Sequence, residues 1–387
     1  MRRREFLKNA LGGSFALAAT GMSALTFAQN SSDEPVSGGA AGNGNRTFSK
    51  LRGVNLGAWL VLEKWMVPEV YRGTDASDEY GLCLALGGHA RNRLEQHRET
   101  FITARDFRWI RDRGLNAVRL PVGYWALEAP SPYVECQRFV DFALDQCLQN
   151  GLKLLLDLHG APGSQNGWDH SGRRGPIEWS QGPQNIQDTL RVLERFAQKY
   201  GKHPALFGIE LLNEPSDRIP IEILKAFYQD AYSRLRKYAG PEVAIIFHDS
   251  FRAMAWKNFM KGAGYANVLM DTHLYQTFND ADRDRTAQEQ VVVALNRKGI
   301  LDEMQREELP TFVGEWSLAL PYHSLRDLSR FQGDLVKSAY ADAQLLSFES
   351  TSGWFFWSYK IETDSEWNFR YCVERGWLPD SFPGQPE

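Results

Sequence analysis

Leu206-Phe-Gly-Ile-Glu-Leu-Leu-Asn213-Glu214-Pro215 and Thr311-Phe-Val-Gly-Glu315-Trp316 are short apolar runs that close on a glutamate. Each is too short for a helix, and the first stops at a proline that cannot donate to a strand ladder. Six more runs of the same kind accompany them, at 51–57, 116–122, 153–159, 243–248, 267–273 and 353–359. Between the runs lie amphipathic stretches at helical spacing, at 104–113, 135–150, 185–200, 219–238, 285–306 and 323–346. Eight strands alternating with helices predict a single α/β catalytic domain over 48–387, a (β/α)8 TIM barrel. An open doubly wound sheet would carry a Gly-rich phosphate turn after its first strand. Gly53 and Gly57 flank Val-Asn-Leu instead, and no G-x-G-x-x-G follows.

In such a barrel the chemistry sits where the strands end. The residues there are Arg119, Asp157, His159, Asn213, Glu214, His248, Asp249, His273, Tyr275, Glu315 and Trp357. A barrel built only for packing would finish its strands in turn formers. Two carboxyls facing each other across the mouth are what cleavage of a glycosidic bond requires, one to protonate the leaving oxygen and one to attack or support the anomeric carbon. Glu214 and Glu315 meet that need from strands four and seven. The stretch 160–175, GAPGSQNGWDHSGRRG, is too rich in glycine and turn formers for a helix and reads as a functional loop.

Composition narrows the partners. The net charge is −4, and without residues 1–28 the balance is 47 acidic against 40 basic, which argues against nucleic acid or an anionic membrane. Twelve tryptophans indicate either an unusually aromatic core or a surface that stacks on something flat. The four cysteines, 83, 136, 147 and 372, form no C-x-x-C pair and no zinc spacing with histidine. Cys136 and Cys147 share one helical pattern about three turns apart, so they do not bond to each other.

Arg3-Arg4-Glu5-Phe6-Leu7-Lys8, a weakly apolar stretch from Ala10 to Ala24 and the small-residue site Thr26-Phe27-Ala28 read as a twin-arginine export signal over residues 1–28. Its glycines, serines and threonines make it too polar for a membrane anchor. Residues 29–47 are a flexible linker. The chain is therefore expected to use the twin-arginine export machinery and to work in the periplasm or outside the cell, with no stable membrane association after cleavage. Because that route carries folded proteins, the fold should not depend on disulfides.

Arg52-Gly-Val-Asn-Leu-Gly57 with Trp59-Leu-Val-Leu-Glu63, Asn116-Ala-Val-Arg-Leu-Pro121 with Gly-Tyr-Trp125, Leu-Asp-Leu-His159-Gly-Ala-Pro-Gly-Ser-Gln-Asn-Gly167, Leu-Asn-Glu-Pro215, His273-Leu-Tyr275, Val-Gly-Glu315-Trp and Phe-Trp357-Ser-Tyr-Lys together resemble glycoside hydrolase family 5, most of all its exo-β-1,3-glucanases. The resemblance runs from about residue 50 to about residue 370. It implies a retaining double displacement with Glu315 as nucleophile and Glu214 as acid/base, without metal or organic cofactor. Arg119 and Tyr275 would keep Glu315 ionised. Asn213 would hold the sugar 2-hydroxyl, and His159 and His273 would orient the carboxyls. Trp357 would stack under the sugar, Glu63 would grip its hydroxyls, and Tyr124, Trp168, Asp169 and Phe278 would wall the subsites. His170 departs from the asparagine usual in fungal members. The substrate is expected to be a β-glucan or β-gluco-oligosaccharide, taken by a monomer. Endo-β-1,6-glucanase and β-glucosidase action remain open on the same scaffold, as does a glycan-binding barrel without chemistry. A metal-dependent hydrolase would need an H-x-H pair on the first strand or a bridging lysine, and neither is present.

Overall fold

The computed structural model describes residues 50–262, 264–307 and 309–382. The export signal and linker expected over 1–28 and 29–47 lie outside them. Eight parallel strands close a barrel in sequence order: β1 (Leu51–Asn55), β2 (Ala117–Gly123), β3 (Lys153–Gly160), β4 (Leu206–Glu210), β5 (Ala244–His248), β6 (Val268–His273), β7 (Thr311–Trp316) and β8 (Gly353–Phe356). All eight expected strands are present, so the (β/α)8 architecture holds. Among the described residues no helix is long and apolar enough to cross a membrane.

The interior changes character along the barrel axis. At the amino ends it is apolar, filled by Leu51, Ala117, Leu155, Phe207, Ala244, Ile246, Leu269, Phe312 and Phe355. Toward the carboxyl ends it turns polar, with Asn55, Arg119, Asp157, Glu210 and Asp271 fully buried. Burial of charge at this density is tolerable only because the groups pair with one another. The ladder also slips at the mouth, between Val122 and Gly123, between Thr272 and His273, and between Val313 and Trp316. Such irregularities turn side chains to new directions, and two of them flank His273 and Glu315.

Each of the six expected helical stretches contains a helix, and the structure adds others. Between β1 and β2 the chain forms α1 (Glu79–Leu86) and α2 (Ala90–Phe101) before the barrel helix α3 (Ala104–Asp112). The first two escape a search for apolar periodicity because Arg98 turns its charge inward to Glu79, 3.1 Å away, with both side chains fully buried. The other main helices are α4 (Gln137–Asn150), α5 (Pro183–Tyr200) and α6 (Ile221–Leu235), then the short α7 (Asp280–Arg283) and the long α8 (Ala287–Glu307). The single helix expected at 323–346 is two, α9 (Tyr322–Leu325) and α10 (Arg330–Phe348), because Ser329 and Gln332 form a capping box that starts a new helix. A last short helix, α11 (Phe369–Glu374), follows β8. All four cysteines are free and buried, and Cys136 and Cys147 stand at the two ends of α4 as their spacing requires.

Candidate active site

Arg119 is the centre of the polar layer. From the middle of β2 its guanidinium sends Nε and Nη2 to the two oxygens of Glu210 (2.8 and 3.1 Å), Nη2 to Asn213 Oδ1 (2.7 Å), and Nη1 to Asn55 Oδ1 and Glu315 Oε1 (2.9 Å each). Asp157 and Asp271 also lie within ion-pair reach, at 3.1 and 3.9 Å. One cation thus serves four buried carboxyls. They cannot all ionise, and burial pushes Asp271 far above the ordinary carboxylate range. Asp271 is held by Gly314, whose N–H donates to Oδ1 at 2.7 Å. A Cβ at 314 would stand 2.0 Å from Asp271 Oδ2, which is why glycine precedes Glu315.

Glu315 receives two hydrogen bonds, from Arg119 and from the Tyr275 hydroxyl on Oε2 (2.8 Å). Both favour the carboxylate, yet burial outweighs them and, with Glu214 nearby, lifts Glu315 to about 7. Arg119 and Tyr275, expected to favour the ionised form, both reach Glu315, but the charge of Arg119 is shared with Asp157, Glu210 and Asp271. Glu214 is also raised by burial, and its partners are imidazoles. It leaves the strand with a positive φ of 42°, a conformation uncommon outside glycine. Oε1 lies 2.6 Å from His273 Nδ1, and Oε2 lies 3.4 Å from His170 Nε2.

The same His273 nitrogen stands 3.5 Å from Glu315 Oε2. Sharing that atom puts an oxygen of each glutamate within roughly 6 Å of the other, near enough for both carboxyls to act on one glycosidic bond. Burial pushes His273 down to about 4, so its ring is neutral and carries one hydrogen. Its Nε2 is 3.2 Å from Asp271 Oδ2. One ring hydrogen satisfies one of these two contacts, and a hydrogen on a carboxyl satisfies the other. With the ring hydrogen on Nε2, the proton of the pair sits on Glu214.

The remaining expected residues divide. His159 places Nδ1 2.6 Å from Asp157 and Nε2 3.5 Å from Asn213 Nδ2, and its ring stacks on Trp357 at 5.4 Å. Glu63 is buried, accepts from Trp65 Nε1 at 2.8 Å, and is raised by burial and by the charges of Asp169, Glu315 and Glu214, which places it among them. Trp168 and Phe278 are exposed, and Phe278 meets Tyr275 edge-on at 5.5 Å. Tyr124 is different. Its ring packs on Trp125 and Tyr133, at 5.2 and 5.5 Å, and those contacts join it to an aromatic cluster instead of the carboxyl pair. Sequence reasoning missed Glu210, Asp271, Trp65 and Trp367. Trp367 lies 5.4 Å from both Trp65 and Tyr275 and 6.0 Å from Phe278, so the aromatic wall is longer than expected.

Among the described residues two groups have the spacing of a metal site: Glu214, His248 and His273, and Glu210, Asp271 and His273. In the first, His248 Nδ1 accepts from the Ser250 N–H at 2.9 Å, which leaves the ring hydrogen on Nε2, the nitrogen that would have to ligate. In the second, both oxygens of Glu210 are occupied by Arg119. Neither donor set fits a cation.

The sequence pattern of the cellulase family, glycosyl hydrolase family 5, matches residues 88–362. A glucan 1,3-beta-glucosidase of Blumeria graminis is 37% identical over 375 residues, covering 85% of this chain and 87% of its own. One from Schwanniomyces occidentalis is also 37% identical, over 380 residues, covering 86% of this chain and 88% of its own. Among solved structures, the rutinosidase of Aspergillus niger superposes with a TM-score of 0.73 at 21% identity, over 85% of this chain and 98% of that one, a likeness of fold. With the family pattern spanning most of the barrel and relatives alike over nearly their full length, this chain belongs to the glycoside hydrolases of family 5.

Proposed function

We propose that the chain hydrolyses β-glucosidic bonds of β-glucans with retention, acting on β-1,3-glucan from the non-reducing end, with Glu315 as nucleophile and Glu214 as acid/base. The observation that carries this reading is the asymmetry of the pair. Glu315 is met by a guanidinium and a hydroxyl, donors that suit an attacking carboxylate, whereas Glu214 is met by neutral imidazoles and can keep its proton. In the first half-reaction Glu315 bonds to the anomeric carbon while the Glu214 proton passes to the leaving oxygen. Once Glu315 is an ester its charge is gone, Glu214 ionises more readily, and it can draw a proton from water. The β-1,3 linkage is supported by the names of the relatives. Export by the twin-arginine route rests on Arg3-Arg4 and the stretch behind it. Replacing both arginines by lysine is expected to hold the full-length chain in the cytoplasm.

The test is to give the enzyme a β-1,3-glucan and a β-1,6-glucan in parallel, size the earliest products, and follow the new anomeric proton by NMR. Glucose alone from the β-1,3-glucan, appearing first as the β-anomer, is the expected result. Oligomers released from the β-1,6-glucan would move the enzyme to the endo-β-1,6 reading. α-Glucose appearing first would end the double displacement.

A further inference from the structure

We propose that His170 is a positioning residue for the acid/base carboxyl: its Nε2–H, poised beside Oε2 of Glu214, closes on that oxygen as the proton departs and stabilises the carboxylate that remains, which makes Glu214 a stronger acid. The proposal rests on the reading of Glu214 as acid/base given above.

The two oxygens of Glu214 face different imidazoles: Oε1 is hydrogen-bonded with His273 Nδ1 at 2.6 Å, and Oε2 has His170 Nε2 beside it at 3.4 Å, in charge-pair reach and not yet a formed hydrogen bond. Only the first contact was foreseen. His170 sits in a short turn, Asp169–Ser171, inside the loop that follows β3, and that loop is tied to the strand ends it covers. Gln165 Nε2 donates to the carbonyls of His159 and Asn213 at 2.7 and 2.9 Å, and Asn166 Nδ2 donates to the carbonyl of Glu214 itself at 3.1 Å. The turn is closed by Ser171 Oγ, which bonds Ser164 Oγ and the Trp168 carbonyl at 2.7 Å each. The ring is therefore placed by the same backbone that places its target.

The ring's hydrogen can be located. Nδ1 of His170 is buried with no hydrogen-bond partner among the described residues, so Nε2 is the only ring nitrogen with a partner. An orphaned N–H costs more than an orphaned lone pair, which puts the single hydrogen of the neutral ring on Nε2, facing Oε2. The charged and titratable groups that face this ring are Glu214 from the segment after β4, His159 from β3, Arg119 from β2 and Asp169 from its own turn. Burial, Arg119 and His159 oppose a second ring proton while Glu214 and Asp169 favour one, and the net effect holds His170 below the usual histidine range. His170 thus acts as a neutral donor.

The proton count follows. In the first step the O–H bond of Glu214 breaks, its proton goes to the glycosidic oxygen as the C–O bond cleaves, and the electron pair left on the carboxylate meets the His170 N–H. In the second step that carboxylate takes a proton from water, whose oxygen bonds to the anomeric carbon and displaces Glu315. His170 itself exchanges no proton in either step.

The experiment measures kcat/KM for His170→Ala, His170→Asn and Glu214→Gln on dinitrophenyl, nitrophenyl and phenyl β-glucosides and on a β-1,3-linked trisaccharide. For Glu214→Gln the loss should grow with the basicity of the leaving group. His170→Ala should show the same trend at smaller size, almost no loss on the dinitrophenyl glucoside and about tenfold on the trisaccharide, with the alkaline limb of the pH profile moved up by about one unit. The sign follows because removing a bond to the carboxylate raises the pKa of Glu214, so it keeps its proton to higher pH. His170→Asn restores an N–H and should recover most of both effects. A loss that is uniform across leaving groups, or an alkaline limb that stays or moves down, overturns the proposal. If Glu214→Gln shows no leaving-group trend, the acid/base reading itself fails, which is a separate outcome. Should the alanine variant not fold, His170→Phe fills the space without an N–H and gives the same reading.

Discussion

Replacing Glu315 by alanine is expected to lower kcat on β-1,3-glucan by on the order of 10⁴-fold or more, equivalent to at least about 5.4 kcal/mol of transition-state stabilisation. No neighbouring group is placed to take over the attack: Tyr275 and Arg119 reach the same oxygens only as donors, and Glu214, in the proposed acid/base role, would stand on the side of the leaving group. The vacancy has a useful property. Arg119 Nη1 and the Tyr275 hydroxyl, which stand 2.9 and 2.8 Å from the two carboxylate oxygens, still face the space and form an anion site. Azide added with an activated aryl β-glucoside should enter that site and attack the anomeric carbon from the vacated side, giving α-glucosyl azide and restoring release of the phenol. Release of β-glucosyl azide, or activity of the variant near that of the wild type, would mean that Glu315 is not the nucleophile.

The same residue has a consequence for stability. Because burial holds the Glu315 carboxyl above its ordinary value of 4.5, at about 7, the folded state binds its proton more tightly than the unfolded chain does. That contribution is fully present below about pH 4.5 and is lost as pH rises through about 7. Glu315→Gln, neutral at every pH, should therefore melt close to the wild type in acid and above it at pH 8. Equal melting temperatures from pH 4 to pH 8 would show that Arg119 and Tyr275 compensate the burial in full.

What was legible in the sequence was whatever repeats or terminates. Eight apolar runs are visible because each is bounded by turn formers, and Glu214 and Glu315 are visible because each closes a run. Glu210 and Asp271 were overlooked although a signal existed: each is a charge inside an apolar strand, which is tolerable only with a buried partner. Four such acids and one arginine, Arg119, within strands two to seven already describe a cluster, but the sequence does not tell which strand face is interior where both faces are covered. Trp65 and Trp367 were lost among twelve tryptophans for a similar reason. Trp59, Trp125 and Trp316 are fully buried while Trp65 and Trp168 are 42% and 56% exposed, and nothing local to the residues separates the two groups. Helix α2 went unseen because its inward face includes Arg98, so the partner that makes it intelligible, Glu79, lies in another helix.

Arg119→Met should be the most damaging change to stability in the barrel. It keeps much of the volume and removes the only arginine or lysine that, among the described residues, reaches Asp157, Glu210, Asp271 and Glu315. Breaking a buried ion pair from one side costs about 3–5 kcal/mol, because the remaining charge is left uncompensated in a medium that solvates it poorly. Here the carboxyls can escape by taking up protons, so the damage depends on pH. Without Arg119 their folded pKa values rise further, protonation favours the folded state, and the deficit should be smallest in acid and grow as pH rises toward 8. A fall in melting temperature of roughly 6–10 °C at pH 7, narrowing at pH 4, is the expected result by thermal denaturation. Arg119→Lys separates charge from geometry. It restores one positive charge, and with it part of the stability, but a single ammonium cannot reproduce the two-oxygen grip on Glu210 together with the bonds to Asn55, Asn213 and Glu315. The lysine variant should therefore recover in melting temperature more than in kcat. If methionine is tolerated at every pH, the four acids do not depend on Arg119. If lysine restores full activity, the planar fork is not what aims Glu315 at the anomeric carbon.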